Sequence, residues 1–396
     1  MTNLDFALID FDTHYYEPLD AFTRHLDPRM IKQRRGVEMI NSGKRTYPMI
    51  GGKLCNFVPN ITFDPVAGPG SLEAYFRGEA DGARAKHLAE LVPLRPAFQE
   101  REPRLAVMAQ QGVAECVLLA TFAYGVEEAL AHDIEAMHAT MHAFNLWLHE
   151  EFGFAGPTIA APIIPMSDVA KACAELEWAL AEGARVVAIT PGPVRLEGGD
   201  RCSPAHPRFD PFWSILDAAG VAVAYHAADA GYFRYFADYD DPTTFDAFSP
   251  AMRLGSLWAI DRPMQDMVAV MVMQQLFARF PNLRVVSVEQ GIDWLPVVLD
   301  RLVKQYKRRP RLFAEHPAET IRRHLWVCPF WEDDIDGLVD RVGVEHVVFG
   351  SDWPHPEGVA EPRDFVKYLP GLDDEQLRLV LRENAAALLT PRPLSG

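Results

Sequence analysis

Four stretches of the chain end in side chains that can bind metals or move protons. The first reads Ile9-Asp10-Phe11-Asp12-Thr13-His14-Tyr15-Tyr16-Glu17-Pro18. In the second, His226 follows the apolar run VAVAY and precedes Ala227-Ala228-Asp229. The third is Val288-Glu289-Gln290-Gly291, and the fourth is Gly350-Ser351-Asp352-Trp353-Pro354-His355-Pro356. Side chains alternate faces along a strand, which predicts Asp10, Asp12 and His14 on one face. Acids and imidazoles crowded in an interior repel and desolvate one another unless positive charge lies between them. Taken singly, each signal is weak, since a D-x-H pair is commonly structural and a His after an apolar run is as readily a core histidine. Taken jointly, four runs carry such groups at the same level, their C-terminal ends, which points to one metal site. The candidate ligands are Asp12, His14, Glu17, His226, Glu289, Asp352 and His355. Carboxylate and imidazole without thiolate suit Zn, Mn or Fe. So many donors exceed the three protein ligands of a catalytic zinc ion, so one or two divalent ions are expected.

Short apolar, β-branched runs are the elements that must position these groups. They span Phe6–Phe11, Glu115–Thr121, Thr158–Ile164, Arg185–Thr190, Val221–His226, Arg284–Glu289, His324–Pro329 and His346–Ser351. Helical spacing covers Glu127–Phe152, Asp168–Glu182 and Pro263–Phe280. Strand alternating with helix implies parallel strands joined by helical crossovers, and eight such units favour a (β/α)8 TIM-type barrel in one domain over residues 1–396. An open doubly wound sheet is the alternative, but no GxGxxG follows any strand. Two excursions break the rhythm, at 28–104 after the first strand and 227–262 after the fifth. Both follow strand C-termini, where a barrel builds its active-site mouth, so both are expected to wall a pocket or to contact a second copy. The second excursion is aromatic: Tyr232, Phe233, Tyr235, Phe236, Tyr239, Phe245, Phe248 and Trp258. Tyr124, Tyr232, Phe236, Trp258 and Trp353 are the expected substrate contacts. His132, His138, His142 and His149 fall on the Glu127–Phe152 helix, outside the barrel, where a metal role is not expected.

The formal net charge of −17 argues against nucleic acid as a partner. The basic run Lys304, Lys307, Arg308, Arg309 and Arg311 reads as a solvated helix end, with an anion contact as the sharper option. Five scattered cysteines without a CxxC argue against a disulfide framework and for a reducing cytoplasm. The N-terminus lacks the charged-then-apolar pattern of a signal peptide. The most apolar stretch, Met267–Leu276, is too short to span a bilayer.

The runs IDFDTH, VAVAYH, RFPNLRVVSVEQGIDWLP and VVFGSDWPHPEG together resemble the amidohydrolase superfamily. The resemblance is nearest its amidohydrolase-related group, which includes decarboxylases of the aminocarboxymuconate-semialdehyde type, and covers Ile9 to about Asn384. It implies metal ligands at His14, His226 and Asp352. The family's first-strand H-x-H is D-x-H here, with Asp12 in the first place, and its strand-six His is replaced by Glu289. The carboxylated lysine of the dinuclear hydrolases has no counterpart, because Ile189 and Thr190 stand there.

Two activities are therefore expected. One is a metal-dependent hydrolase or decarboxylase acting on a small carboxylated, ester or amide substrate. A metal-activated water would act there with Asp352 as general base, as the resemblance implies, and His355 or His226 would protonate or polarise the substrate. The alternative is a non-heme diiron oxygenase on the same barrel that hydroxylates an apolar substrate and makes use of the surplus carboxylates. A homodimer is the expected assembly, and a barrel that binds ligand without catalysis is the third reading.

Overall fold

The apolar runs form parallel strands in two sheets. The computed structural model describes residues 4–79, 90–243 and 251–394. One sheet orders β1 (Leu8–Tyr15), β2 (Val113–Ala120) and β3 (Thr158–Ala160) side by side. The other runs β4 (Val186–Ala188), β5 (Ala222–His226), β6 (Arg284–Val288) and β7 (Leu325–Cys328). β5 and β6 are buried along their whole length. Both faces are covered, which is why these runs are continuously apolar and do not alternate. Isolated bridges extend the two sheets toward each other. Ile163 meets Ala188 on one side, while Val327–Val347 and Thr13–Trp353 place segment 347–353 between β7 and β1 on the other.

Helices separate the strands: α1 (Arg101–Gln111), α2 (Ile134–Phe152), α3 (Val169–Ala181), α4 (Asp210–Ala219), α5 (Asp261–Met273), α6 (Trp294–Arg308), α7 (Pro317–His324) and α8 (Ile335–Val342). Their ends follow capping chemistry. Asp133 and Asp168 accept backbone N–H groups at the starts of α2 and α3. Gly112 and Gly220 stop α1 and α4 in the left-handed conformation, and a strand begins at once after each.

Several boundaries differ from the sequence reading. β1 starts later than Phe6 but continues through Asp12 and His14, because the ladder with β2 resumes at Thr13 and His14 after an irregularity that contains Asp12. The register slips between Asp10 and Thr13, so strict alternation fails there: three steps on β1 face two on β2. The eighth run, 346–351, is not a regular strand. Its backbone divides its bonds: Val348 N–H donates to Val327 O at 2.9 Å, and Phe11 N–H donates to Phe349 O at 2.8 Å. The long helix expected over Glu127–Phe152 is split, with a short turn at Val126–Ala129 and a new start capped by Asp133. The Pro263–Phe280 helix breaks at Gln275, whose φ is +55°.

Residues 28–104 carry a small antiparallel sheet of Val37–Ser42, Arg45–Ile50 and Lys53–Leu54, plus a paired Val66–Ala67 and Leu91–Val92. This excursion grips the loop after segment 347–353: Gly70 N–H donates to His355 O at 3.2 Å and Leu72 N–H to Pro356 O at 2.9 Å. Residues 227–262 contribute short helices at Phe233–Ala237 and Gly255–Trp258, while Phe245 and Phe248 lie outside the described residues. All five cysteines are free. No helix among the described residues is long and apolar enough to cross a membrane. The basic run from Lys304 sits at the exposed C-terminal end of α6 and just beyond it.

Candidate metal centre

The strand ends bring their polar residues together. Donor atoms of Asp12, His14, His226 and Glu289 lie within 4.8 Å of one another, as do those of His14, Asp352 and His355, and those of Glu289, Asp352 and Glu357. His14 Nε2 is 3.2 Å from Asp12 Oδ1, 3.2 Å from Asp352 Oδ1 and 3.8 Å from Glu289 Oε2. His226 Nε2 is 2.7 Å from Glu289 Oε2.

Two imidazoles define what the middle of this cluster wants. His14 Nδ1 lies 3.1 Å from Ala120 O and His226 Nδ1 lies 2.7 Å from Ala227 O. A carbonyl accepts, so each Nδ1 carries hydrogen, and both rings turn Nε2 inward. Those two Nε2 atoms face each other at 3.2 Å. His14, held neutral by burial, presents a lone pair there, while His226 Nε2 also meets Glu289 Oε2 and is free to bind a cation once its proton is given up. Asp12 Oδ1, Asp352 Oδ1 and His355 Nδ1 are also buried without a hydrogen bond. Among the described residues, no lysine or arginine pairs with any of these carboxylates; their ion partners are histidines alone. The donor set fits a divalent cation with oxygen and nitrogen ligands.

Electrostatics points the same way. Burial pushes Asp12 up to about 6 against the pull of the His226 charge. Burial, then the Glu289 charge, pushes Glu357 up to about 8 and Asp352 well above the carboxylate range. Burial, then the His226 charge, brings His14 down to about 3. Only the His226–Glu289 pair resists: burial opposes both charges, yet each partner favours the other's ionised form. A cluster that neutralises itself when empty is one that a cation would recharge.

The backbone is bent to present these groups. Glu289 and Asp352 have φ of +54° and +56°, a left-handed conformation uncommon for residues with a Cβ. Such residues cost roughly 1–3 kcal/mol and persist where their surroundings hold them. Here Asp352 N–H donates to Asp12 O at 2.8 Å, and Ser351 N–H donates to Asp10 Oδ1 at 2.9 Å. Asp10 therefore ties the segment to β1 and stays out of the donor groups.

His355 stacks on His14 with centroids 3.9 Å apart, and its Nδ1 lies 2.8 Å from Asp352 Oδ1. Thr121 Oγ1 donates to Tyr15 O at 2.8 Å, so it accepts from His355 Nε2 at 2.9 Å. That leaves a lone pair on His355 Nδ1, close to Asp352 Oδ1, whose carboxyl burial favours in its neutral form. The Tyr124 ring stacks on His226 at 4.5 Å, and its buried hydroxyl has no partner.

Other sequence expectations lead elsewhere. Glu17 is outside the donor groups: its Oε1 accepts the N–H groups of Thr121, Phe122 and Ala123 at 3.1, 2.8 and 3.0 Å, capping the turn after β2. Trp353 is packed into the core, edge-on to Phe98 at 5.3 Å with the Arg104 guanidinium 4.4 Å over its ring. Phe236 belongs to a separate small apolar cluster with Phe233, Met252 and Ala259. Tyr232 donates to Asp266 at 3.0 Å, and Trp258 is exposed. His138 accepts from Asp168 N–H, and His142 and His149 pair with Glu175 and Glu182, away from the cluster. Glu357 joins the donors through the fold, since a carboxylate five residues after Asp352 is its sole signal in the sequence.

An α/β chain whose strand ends gather imidazoles and carboxylates around one point has the architecture of a metal-dependent hydrolase or lyase. The family model described as Amidohydrolase matches residues 9–390, and the chain belongs to that family. A solved amidohydrolase from Mycobacterium avium subsp. paratuberculosis K-10 is 41% identical, covering 98% of this chain and 100% of its own, with a TM-score of 0.91. A dihydroxybenzoic acid decarboxylase from Polaromonas sp. JS666, solved with manganese and 2-nitroresorcinol, shares the fold at a TM-score of 0.62 and 13% identity, with 97% of each chain covered. The 2-amino-3-carboxymuconate-6-semialdehyde decarboxylase of Dictyostelium discoideum is 25% identical over 178 residues, which is 38% of this chain. The match spans about half the length of that curated relative, 49%.

Proposed function

We propose that the protein is a metal-dependent decarboxylase of small carboxylated substrates, on a (β/α)8 barrel that segment 347–353 completes. The observation that carries the metal is the convergence of the His14 and His226 Nε2 atoms, 3.2 Å apart, with carboxylate oxygens of Asp12, Glu289 and Asp352. Decarboxylation is favoured over hydrolysis by the named decarboxylase relatives, and Ile189 and Thr190, where the resemblance implies the carboxylated lysine of dinuclear hydrolases, offer no such bridge between two ions. Asp12, His14, His226, Glu289 and Asp352 would hold the ion. A bound Mn, Zn or Fe ion would supply positive charge that orients a carboxylated substrate and stabilises developing negative charge.

The chain's own residues do the rest. Loss of carbon dioxide breaks a carbon–carbon bond and leaves its electron pair on the substrate carbon, which must take a proton. Burial favours a protonated Asp352 beside a neutral His355, their Oδ1 and Nδ1 2.8 Å apart, and Thr121 fixes the other ring nitrogen. That pair is the proton donor. Tyr124, with its unpartnered hydroxyl beside His226, orients the substrate. Burial of the cluster keeps water from competing.

The related proteins are decarboxylases and amidohydrolases, which leaves the oxygenase reading without support. The test is metal analysis of protein supplied with Mn, Zn or Fe, followed by carbon dioxide release from hydroxybenzoates and unsaturated dicarboxylic acids. The expected result is metal-dependent carbon dioxide release at about one ion per chain. No bound metal under any supply, or two irons with an oxygen-dependent reaction, overturns the proposal.

A further inference from the structure

Glu17 stands apart from the donor groups but is buried, 2% exposed. The ladder between β1 and β2 ends at Tyr15 and Ala120. Just beyond that end, Glu17 Oε1 accepts the N–H groups of Thr121, Phe122 and Ala123 at 3.1, 2.8 and 3.0 Å. One side-chain oxygen takes the place of strand carbonyls that have run out. It pins three consecutive residues to the end of the strand that carries Asp12 and His14. Burial pushes the Glu17 carboxyl up to about 7, while these N–H groups pull it down. An uncharged acceptor would cap a buried turn at less cost than a carboxyl.

The stretch next to this anchor touches every imidazole of the centre. Ala120 O accepts from His14 Nδ1 at 3.1 Å, and Thr121 Oγ1 accepts from His355 Nε2 at 2.9 Å. The Tyr124 ring lies 6° from parallel to the His226 ring, with centroids 4.5 Å apart. The three histidines come from β1, from β5 and from the loop after segment 347–353, so none of those elements alone sets their mutual orientation. Residues 120–124 meet all three. An imidazole that binds a metal or passes a proton is oriented by what its other nitrogen meets. A shift of about 1 Å in this stretch would therefore turn His355 and His226 without removing a single donor atom.

We propose that Glu17 is a positioning residue of the metal centre, which orients His355 and His226 through residues 121–124. The inference deepens the decarboxylase reading and rests on it for a metal at the donor cluster; the reaction itself enters only as a separate readout.

Three substitutions separate reach from charge. Glu17→Gln keeps an oxygen at the same reach and removes the charge. Glu17→Asp keeps the charge and draws the oxygen back by one carbon–carbon bond, about 1.5 Å. Glu17→Met keeps the length and has no oxygen. The test is nitrogen NMR of protein labelled at its histidines and loaded with Zn, which has no redox chemistry or unpaired electron. In wild type the His355 Nε2–H, held by Thr121, should exchange slowly with solvent, and its signal is assigned by its loss in Thr121→Val. Glu17→Gln should keep that signal, and Glu17→Asp and Glu17→Met should lose it, all with full Zn content and a folded circular dichroism spectrum. In carbon dioxide release by the Mn-loaded protein, Glu17→Asp should lower kcat by about 10–100-fold with little change in KM, and Glu17→Gln should keep most of the rate. A cap that served stability alone would lower the denaturation midpoint and leave both the signal and kcat in place. Loss of the signal in Glu17→Gln, its survival in Glu17→Asp or Glu17→Met, or free exchange in wild type overturns the positioning role. No carbon dioxide release from wild type, with Zn bound and the NMR outcome as expected, defeats the decarboxylase reading and spares Glu17. A wild type that binds no Zn defeats the metal centre and the role of Glu17 together.

Discussion

Two charged regions flank Tyr124, and they are built in opposite ways. On one side, the carboxylates of Asp12, Glu289, Asp352 and Glu357 meet three imidazoles and, among the described residues, no arginine or lysine partner. On the other, three guanidinium groups meet Glu128. The first is closed and held by strained backbone at Glu289 and Asp352; the second is open. An excess of buried acid calls for a cation, whereas the guanidinium groups of the second region have Glu128 among them as a counter-charge. Each side can be disturbed without the other.

The largest effect is expected where the comparison is sharpest. His14→Ala and Asp352→Ala each remove a donor from two of the three overlapping groups. Each should weaken Mn binding on the order of 10²-fold or more, read by equilibrium dialysis on protein that remains folded by circular dichroism. Full metal content in both variants would place the ion elsewhere.

A smaller effect tests how tightly the first region is packed. A Cβ on Gly350 would lie 2.4 Å from Asp12 Cβ and 2.4 Å from Cys328 Sγ, both in the interior. Gly350→Ala should therefore destabilise the fold by about 1–3 kcal/mol, the usual cost of overpacking. Denaturant unfolding measures it, and an unchanged midpoint would show that segment 347–353 has slack that the geometry denies.

The two regions also differed in how far they could be read from sequence. His226, Glu289 and Asp352 stood out because each ends an apolar run with an ionisable group, a contradiction that local pattern alone exposes. The same logic overreached at Glu17. Its partners are backbone N–H groups of the turn after β2, more than a hundred residues away, and no local spacing reports them. Trp353, expected at the substrate, follows the left-handed Asp352 and packs against Arg104 and Phe98 in the interior, contacts that no local spacing reports. Strict alternation along β1 failed at the bulge between Asp10 and Thr13, so Asp10 became a tie to Ser351. The strands were legible because burial on both faces leaves an unbroken apolar run; the eighth was not, because single bridges on each side do not make a strand. Arginines 195, 201 and 234 carry no motif at all. They are assembled by three loops, and only the fold shows them as a group.

The mildest disturbance falls on Glu127, in the wall of the second region. Burial, partly offset by the hydrogen bond from Thr190 Oγ1 at 2.8 Å, pushes its carboxyl up to about 7. Glu128 raises it further, and Arg195 and Asp229 line the same cleft. Because its folded value lies above the ordinary carboxylate range, the fold favours the neutral acid, and that contribution to stability, fully present in acid, is lost as pH rises through about 7. Glu127→Gln keeps the bond to Thr190 and cannot ionise. Its stability relative to wild type should therefore rise by about 1–2 kcal/mol between about pH 5 and pH 8, the scale of one to two pKa units, read by denaturant unfolding. A difference that stays constant with pH would leave Glu127 a structural partner of Thr190 alone.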